Sequence, residues 1–165
     1  MEYISYYNSL IGDILLASDG EFLTGLWFVN QKYYAKNLNR DAKEKSLEIF
    51  DLTRKWLGSY FEGNKPDFNI PIKFIGTDFQ VAVWQSLLKI PYGEFVTYGD
   101  LARILNTSPR AVGTAVGKNP ISIIVPCHRV VGKNNSLTGY AGGIDKKEYL
   151  LKLESTKTMT KHDKK

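Results

Sequence analysis

Cysteine is nearly missing from this 165-residue chain, which has one, Cys127. A single thiol forms no intrachain disulfide, so a disulfide-stapled secreted scaffold is excluded and a reducing compartment is expected. Histidine is almost as scarce, with only His128 and His162. A structural zinc site takes about four ligands, mostly Cys and His, and these residues are too few to supply them. Neither a CxxC nor an HExxH spacing occurs. No apolar run approaches the ~18 residues of a membrane span, and the first residues lack the charged start and apolar stretch of a signal peptide. A soluble, cytoplasmic protein is expected. With 43% apolar residues, the chain can build a substantial core without staples.

Acidic residues are also short in one region. Residues 1–74 carry 9 Lys and Arg against 10 Asp and Glu, net −1, whereas residues 75–165 carry 13 against 7, net +6. The later region therefore favours a polyanion such as nucleic acid. Part of the excess lies in residues 157–165, a lysine-rich terminus that reads as a solvated, disordered tail.

The patterning divides the chain in the same place. Runs at 3–7, 13–18 and 23–28, separated by Asn8-Ser9 and Ser18-Asp19-Gly20, read as a small antiparallel meander. From 45 to 61 the period becomes helical: Leu47, Phe50, Leu57 and Phe61 share a face, widened by Ile49, Trp56 and Tyr60, with Gly63 as the stop. Pro66, Pro71 and Gly76 mark a linker over 64–76. Thr77 or Asp78 caps the next helix, whose stripe of Phe79, Val83, Trp84, Leu87 and Leu88 is expected in the core.

Thr97 caps a short helix over 98–105, a turn follows at 106–109, and 110–118 forms another helix. Such a pair is a helix-turn-helix candidate or a plain αα-hairpin. Gly113 and Gly117 in the second helix each cost roughly 1 kcal/mol relative to alanine, so a close backbone approach should compensate. The approaching group is either a strand of the protein or a narrow DNA groove probed by Arg110. Loops are expected at 132–136 and 139–143, and a closing helix at 145–154.

The run Pro126-Cys127-His128-Arg129 carries the strongest chemical signal. An unactivated thiol is only about 3% ionised at neutral pH, and an imidazole and a guanidinium beside it both favour the thiolate. The competing reading is a small buried hydrophobe in a strand. Neighbours on a strand point to opposite faces, so His128 reaches Cys127 only through a bend at Pro126 or a bridging water. A papain-like pair would need His162, which lies in the tail, so a cysteine protease is disfavoured.

With Pro126-Cys127-His128-Arg129-Val130, Arg110-Ala111-Val112-Gly113, Asn119-Pro120 and Gly139-Tyr140-Ala141-Gly142-Gly143 in view, the chain resembles the O6-alkylguanine-DNA alkyltransferases, or methylated-DNA-protein-cysteine methyltransferases. The resemblance implies an α+β protein. Residues 1–74 would form a ribonuclease-H-like domain with a small antiparallel sheet and a helix. Residues 75–156 would form a helical domain with a winged helix-turn-helix-like DNA-binding motif, followed by the tail at 157–165.

It further implies that Cys127 accepts an alkyl group irreversibly from O6-alkylguanine, or O4-alkylthymine, flipped out of double-stranded DNA. His128 would act as base through water, Glu154 would hold His128, and Asn119 would order the cysteine turn. Val130, Tyr140 and Ala141 would line the base pocket, with Tyr140 assisting the leaving oxygen. Tyr98, Arg110, Ala111, Gly113, Thr114, Gly117 and Arg129 would contact DNA, with Arg110 filling the vacated stack and Tyr98 pressing on the target phosphate. No cofactor, metal, membrane or obligate protein partner is implied. The alternative is a non-enzymatic alkyltransferase-like lesion-binding module; such proteins lack the cysteine that stands here in an intact motif.

Overall fold

The alternating runs of the first thirty or so residues fold into three antiparallel strands, β1 (Tyr3–Ser9), β2 (Gly12–Ser18) and β3 (Leu23–Phe28). The computed structural model describes residues 1–159 apart from 33, 36 and 37, and backbone alone for 156–159. Asp19 makes the β2–β3 turn local, because its Oδ1 accepts from the amides of Glu21 and Phe22 at 3.0 and 2.8 Å. A fourth strand, β4 (Lys43–Glu44), pairs parallel to β1. The sheet order is β3-β2-β1-β4, so the sheet is mixed where a purely antiparallel one was expected. Two exposed charged residues carry no apolar alternation, and their pairing is set by the β1 edge they reach.

That edge pairing also delays the helix. The amide of Lys45 donates to Ile4 O at 3.2 Å, so α1 (Glu48–Phe61) begins after Leu47 rather than at residue 45. Its buried face, with Phe50, Leu57 and Tyr60 fully enclosed, packs on β1 and β2. Each such side chain contributes roughly 1.5–3 kcal/mol by leaving water. Gly63 ends the helix at φ 91°, a left-handed conformation, and its amide donates to Tyr60 O. The compact unit built on this sheet comprises Met1–Ile75 and also Pro120–Ile124, whose backbone pairs with Leu26 on β3.

The second unit comprises Gly76–Asn119 and the chain from Val125 onward. Its helices start where their caps are. Thr77 and Gln80 form a reciprocal capping box for α2 (Asp78–Leu87), as do Thr97 and Asp100 for α3 (Tyr98–Leu105). Asn106 turns left-handed at φ 55°, and Ser108 caps α4 (Pro109–Gly117) with Pro109 at its first position. Trp84 of α2 is almost fully buried and donates its indole N–H to Ala115 O at 2.8 Å, tying α2 to α4. Phe79, expected in the core, is 40% exposed, because it sits in the first turn of α2, where a shallow groove runs past Ser108, Arg110 and Thr114.

Strand β5 (Val96–Thr97) pairs in parallel with β6 (Val130–Val131), which joins the start of α3 to the exit of the cysteine turn. The last helix, α5 (Ile144–Met159), runs past residue 154 into the stretch read as a tail. The rest of that stretch, 160–165, lies outside the described residues. The class is α+β, as expected. Among the described residues no helix is long and apolar enough to cross a membrane.

Candidate active site

The cysteine turn is built from its backbone. Asn119, 3% exposed, donates its side-chain N–H to Val125 O at 2.9 Å and pins the chain ahead of Pro126. Pro126 then adopts φ −80° and ψ 66°, and the amide of Cys127 donates back to Val125 O at 2.7 Å. This is an inverse γ-turn. A single 3₁₀ turn follows over Cys127–Arg129, closed by the amide of Arg129 on Pro126 O at 3.0 Å. The strand placement of Cys127 is thereby corrected: proline's locked φ bends the chain, and successive side chains stand about 120° apart instead of on opposite faces. Upstream, Ile123 holds φ 69°, a conformation that costs a β-branched residue roughly 1–3 kcal/mol.

His128 is completely buried, and its Nε2 lies 2.6 Å from Glu154 Oε2. Glu154 is 1% exposed. Its Oε1 accepts from Arg129 Nε at 2.8 Å and from the amide of Gly93 at 3.1 Å. Its Oε2 accepts from His128 and from Arg129 Nη2 at 3.0 Å. All four acceptor positions of the carboxylate are occupied. Burial pushes the Glu154 carboxyl up, but His128 and Arg129 outweigh it and hold the group well below the usual carboxylate range.

An ionised Glu154 only accepts, so the shared proton sits on His128 Nε2. That leaves Nδ1 with the lone pair. Burial lowers the His128 pKa; Glu154 opposes the shift, and Arg129 and Lys147 add to it. The imidazole is therefore neutral at neutral pH, with a basic nitrogen on the ring beside Cys127. Cys127 itself is 5% exposed.

In the same unit, one carbonyl receives two donors. Tyr98 Oη donates to Thr138 O at 3.0 Å, and Lys147 Nζ donates to the same oxygen at 2.7 Å. The Lys147 ammonium also lies 5.6 Å from the centre of the Tyr98 ring. Lys147 is fully buried, and burial pulls it down to about 8 while the charge of Cys127 pulls the other way. Burial first and the charge of Cys127 second push Tyr98 up to about 12, so its phenol keeps its proton and donates. Gly139 follows Thr138 at φ 75°, and a Cβ there would stand 2.9 Å from Tyr98 Oη. Glycine is required on both counts. Tyr140, next in the chain, is 9% exposed.

The remaining expected residues are distributed as follows. Val130 is fully buried on β6, and Ala141 is partly exposed beside Tyr140. Arg110 and Thr114 are exposed on α4; Ala111, Gly113 and Gly117 are partly exposed. Gly113 meets only the Tyr98 ring at 3.8 Å, an ordinary contact, and a Cβ at Gly117 would have nothing within 4 Å. Among the described residues, no protein strand makes this close approach.

Arg129, expected to contact DNA, stands apart from the exposed residues of α4. It is 9% exposed and turned inward, bonding Glu154 and donating Nη1 to Ile90 O at 2.7 Å, with its guanidinium 5.7 Å from the Tyr92 ring. The sequence shows a positive charge beside the thiol but not the carboxylate, Glu154, that takes it. Sequence reasoning also missed Lys147, Thr138 and Gly93. Lys147 had one signal: it precedes Leu150 and Glu154 by three and seven residues, which places all three on one helical face. Among the described residues, no cluster of three His, Cys, Asp or Glu stands ready for a metal ion.

Two family descriptions match this chain. "6-O-methylguanine DNA methyltransferase, ribonuclease-like domain" covers residues 3–74, and "6-O-methylguanine DNA methyltransferase, DNA binding domain" covers 78–156. A methylated-DNA–protein-cysteine methyltransferase of Haemophilus influenzae is 48% identical over 155 residues, spanning 92% of this chain and 86% of the relative. The protein of the same name from Methanosarcina acetivorans is 45% identical over 157 residues, spanning 93% and 99%. The crystal structure of Mycobacterium tuberculosis OGT in complex with DNA matches with a TM-score of 0.85 at 40% identity, covering 93% of both chains.

Proposed function

Because the chain belongs to the 6-O-methylguanine DNA methyltransferase family, we propose that it repairs DNA by taking the alkyl group of O6-alkylguanine onto Cys127, once and irreversibly. The observation that carries this reading is the fully saturated Glu154 carboxylate, which fixes His128 as a neutral base on the same turn as the thiol. The thiol proton passes to His128 Nδ1 through a bridging water. The sulfur attacks the alkyl carbon; the S–C bond forms as the C–O6 bond breaks, and the bonding pair stays on the guanine. The proton held by His128 then neutralises the guanine. A donor near O6 eases that departure, and Tyr140 supplies it. The product thioether has no leaving path, so each chain acts once.

A base inside the duplex is out of reach, so the target nucleotide is flipped out at a cost of a few kcal/mol. Arg110, exposed at the start of α4, fills the gap. The open face of Gly117, and Gly113 with only the Tyr98 ring within 4 Å among the described residues, support close approach of α4 to a narrow groove. The protein is placed in the cytoplasm, supported by its lone thiol.

Mixing the protein with O6-methylguanine duplex DNA tests the reading. The expected result is one methyl on Cys127 by mass spectrometry, a burst of guanine equal to the protein present, and then no further reaction. Cys127→Ser should bind DNA but transfer nothing. Continuing product with unmodified protein would identify a hydrolase, and no change in either partner would identify a non-enzymatic lesion-binding module.

A further inference from the structure

Glu154 meets two side chains able to carry positive charge, His128 and Arg129, and only the histidine can give up its proton near neutral pH. The guanidinium lies on the carboxylate as a fork, with Nε on Oε1 at 2.8 Å and Nη2 on Oε2 at 3.0 Å. That is the geometry in which arginine matches a carboxylate most fully. The remaining nitrogen, Nη1, donates to Ile90 O at 2.7 Å, and the Tyr92 ring stands 5.7 Å from the guanidinium. The Gly93 amide donates to Glu154 Oε1 at 3.1 Å. The turn at 90–93 thus grips both members of the pair. Holding the imidazole in place takes less than this, since one carboxylate oxygen at 2.6 Å does it.

We propose that Arg129 is a positioning residue for the transfer: seated by the 90–93 turn, its guanidinium takes up the charge of Glu154 and leaves His128 an uncharged imidazole, able to accept the thiol proton. This rests on the alkyl-transfer reading above. A buried carboxylate whose only cationic partner is a histidine turns that histidine into an imidazolium, because pairing spares the carboxylate a bare buried charge. An imidazolium has no lone pair on Nδ1. Here the carboxylate is already neutralised by an arginine that keeps its proton, so protonating His128 would bury an unbalanced charge. Burial lowers the His128 pKa, Glu154 raises it, and Arg129 lowers it again, joined by Lys147 from α5. The other groups around the turn add no charge of their own. Burial and then Glu154 raise the Tyr92 phenol, which keeps its proton, and α2, also packed on the turn, carries only the exposed Asp78. The Cys127 thiol is the proton donor that the imidazole serves.

The charge of His128 can be read directly. The chain has two histidines, so in a His162→Gln background one imidazole remains, and its nitrogen chemical shifts report protonation and tautomer against pH. With Arg129 in place, the neutral form with its proton on Nε2 should persist down to about pH 6. In Arg129→Gln, which can still donate to Glu154 but carries no charge, the imidazole pKa should rise by about one unit or more. In Arg129→Lys, which keeps a charge, the rise should stay below about half a unit. Single-turnover transfer from O6-methylguanine duplex should follow the imidazole. The acid limb of the rate profile in Arg129→Gln should move up with the pKa, giving about a tenfold loss on that limb that largely disappears by about pH 8.5.

An unchanged imidazole pKa in Arg129→Gln, an equal rise in the Gln and Lys variants, or an imidazolium at pH 7 in the presence of Arg129 overturns the proposal. So does a rate lowered equally at every pH, which would leave Arg129 a structural tie. Should Arg129→Gln fail to fold, Arg129→Lys decides: a rise of less than half a unit supports control by charge, and a full unit sinks it. Failure to methylate Cys127 at all would remove the transfer reading, while the imidazole titration would still decide whether Arg129 sets the charge of His128.

Discussion

The two buried charges among the described residues of α5 are held in opposite ways. Glu154, toward one end, has all four acceptor positions filled by His128, Arg129 and Gly93. Lys147, two turns earlier, has the Thr138 carbonyl and a ring face. Each partner of Glu154 adds to its stability as a carboxylate, whereas burial of Lys147 works against its ammonium. A saturated charge makes a fixed bearing for the base; an undersupplied one makes a contact that can change. One helix thus carries both a saturated and an undersupplied charge.

Removing Glu154 should have the largest effect. Glu154→Ala leaves the Arg129 guanidinium buried without its carboxylate, and loss of one partner of such a pair costs about 3–5 kcal/mol. For a chain of this size that lowers Tm by about 10 °C or more, readable by calorimetry. A loss below about 1 kcal/mol would show that the carboxylate is not the anchor.

Acid should act on the same end. The Glu154 carboxyl and the His128 imidazole both have folded-state pKa values below their unfolded ones. Their stabilisation is therefore full above the unfolded values and lost as pH falls. The decline should begin below about pH 6.5 with His128 and steepen below about 4.3 with Glu154. Denaturant melts at pH 7.5, 5.5 and 4 would expose a flat profile, which this arrangement does not allow.

Lys147→Met should move stability the other way, by about 1 kcal/mol at pH 7, because relief of a buried ammonium exceeds the lost hydrogen bond. Tm should rise by about 2–4 °C. The wild type, with Lys147 lowered to about 8, should gain stability between that pH and about 10.5, where the unfolded chain holds more protons. The variant should lack that gain; a matching rise in both would assign it to another group. Tyr98→Phe should be the mildest, costing roughly 0.5–1.5 kcal/mol, since Thr138 O keeps its bond to Lys147. A larger loss would mean that Tyr98, rather than Lys147, carries the loop.

Legibility in the sequence followed the range of the forces. Thr77, Thr97 and the Gly63 stop act within one turn of chain, so the ends they set were readable. Strand β4 was not, because Lys43 and Glu44 are ordered by β1, nearly forty residues earlier in a 165-residue chain. The cysteine motif announced its chemistry through neighbouring residues. Where each neighbour points was hidden, since the partner of Arg129 is 25 residues away. Lysine in an amphipathic helix normally reads as solvated, and only the packing shows Lys147 sealed inside.

The two-rung pairing of β5 with β6 also orders events in time. It closes a loop from Val96 to Val131 that contains all of α3 and α4. Closing a loop of that length carries an entropy penalty of several kcal/mol, which local helix formation reduces by shortening the span. The expected order is that the helical pair forms first and the turn carrying Cys127 and His128 is completed when the rungs join. Pulses of a thiol reagent during refolding would read that sequence as a late loss of labelling, because Cys127 is only 5% exposed once folded. A protein whose own cysteine accepts the alkyl group would thus complete the site around its thiol only after α3 and α4 are in place.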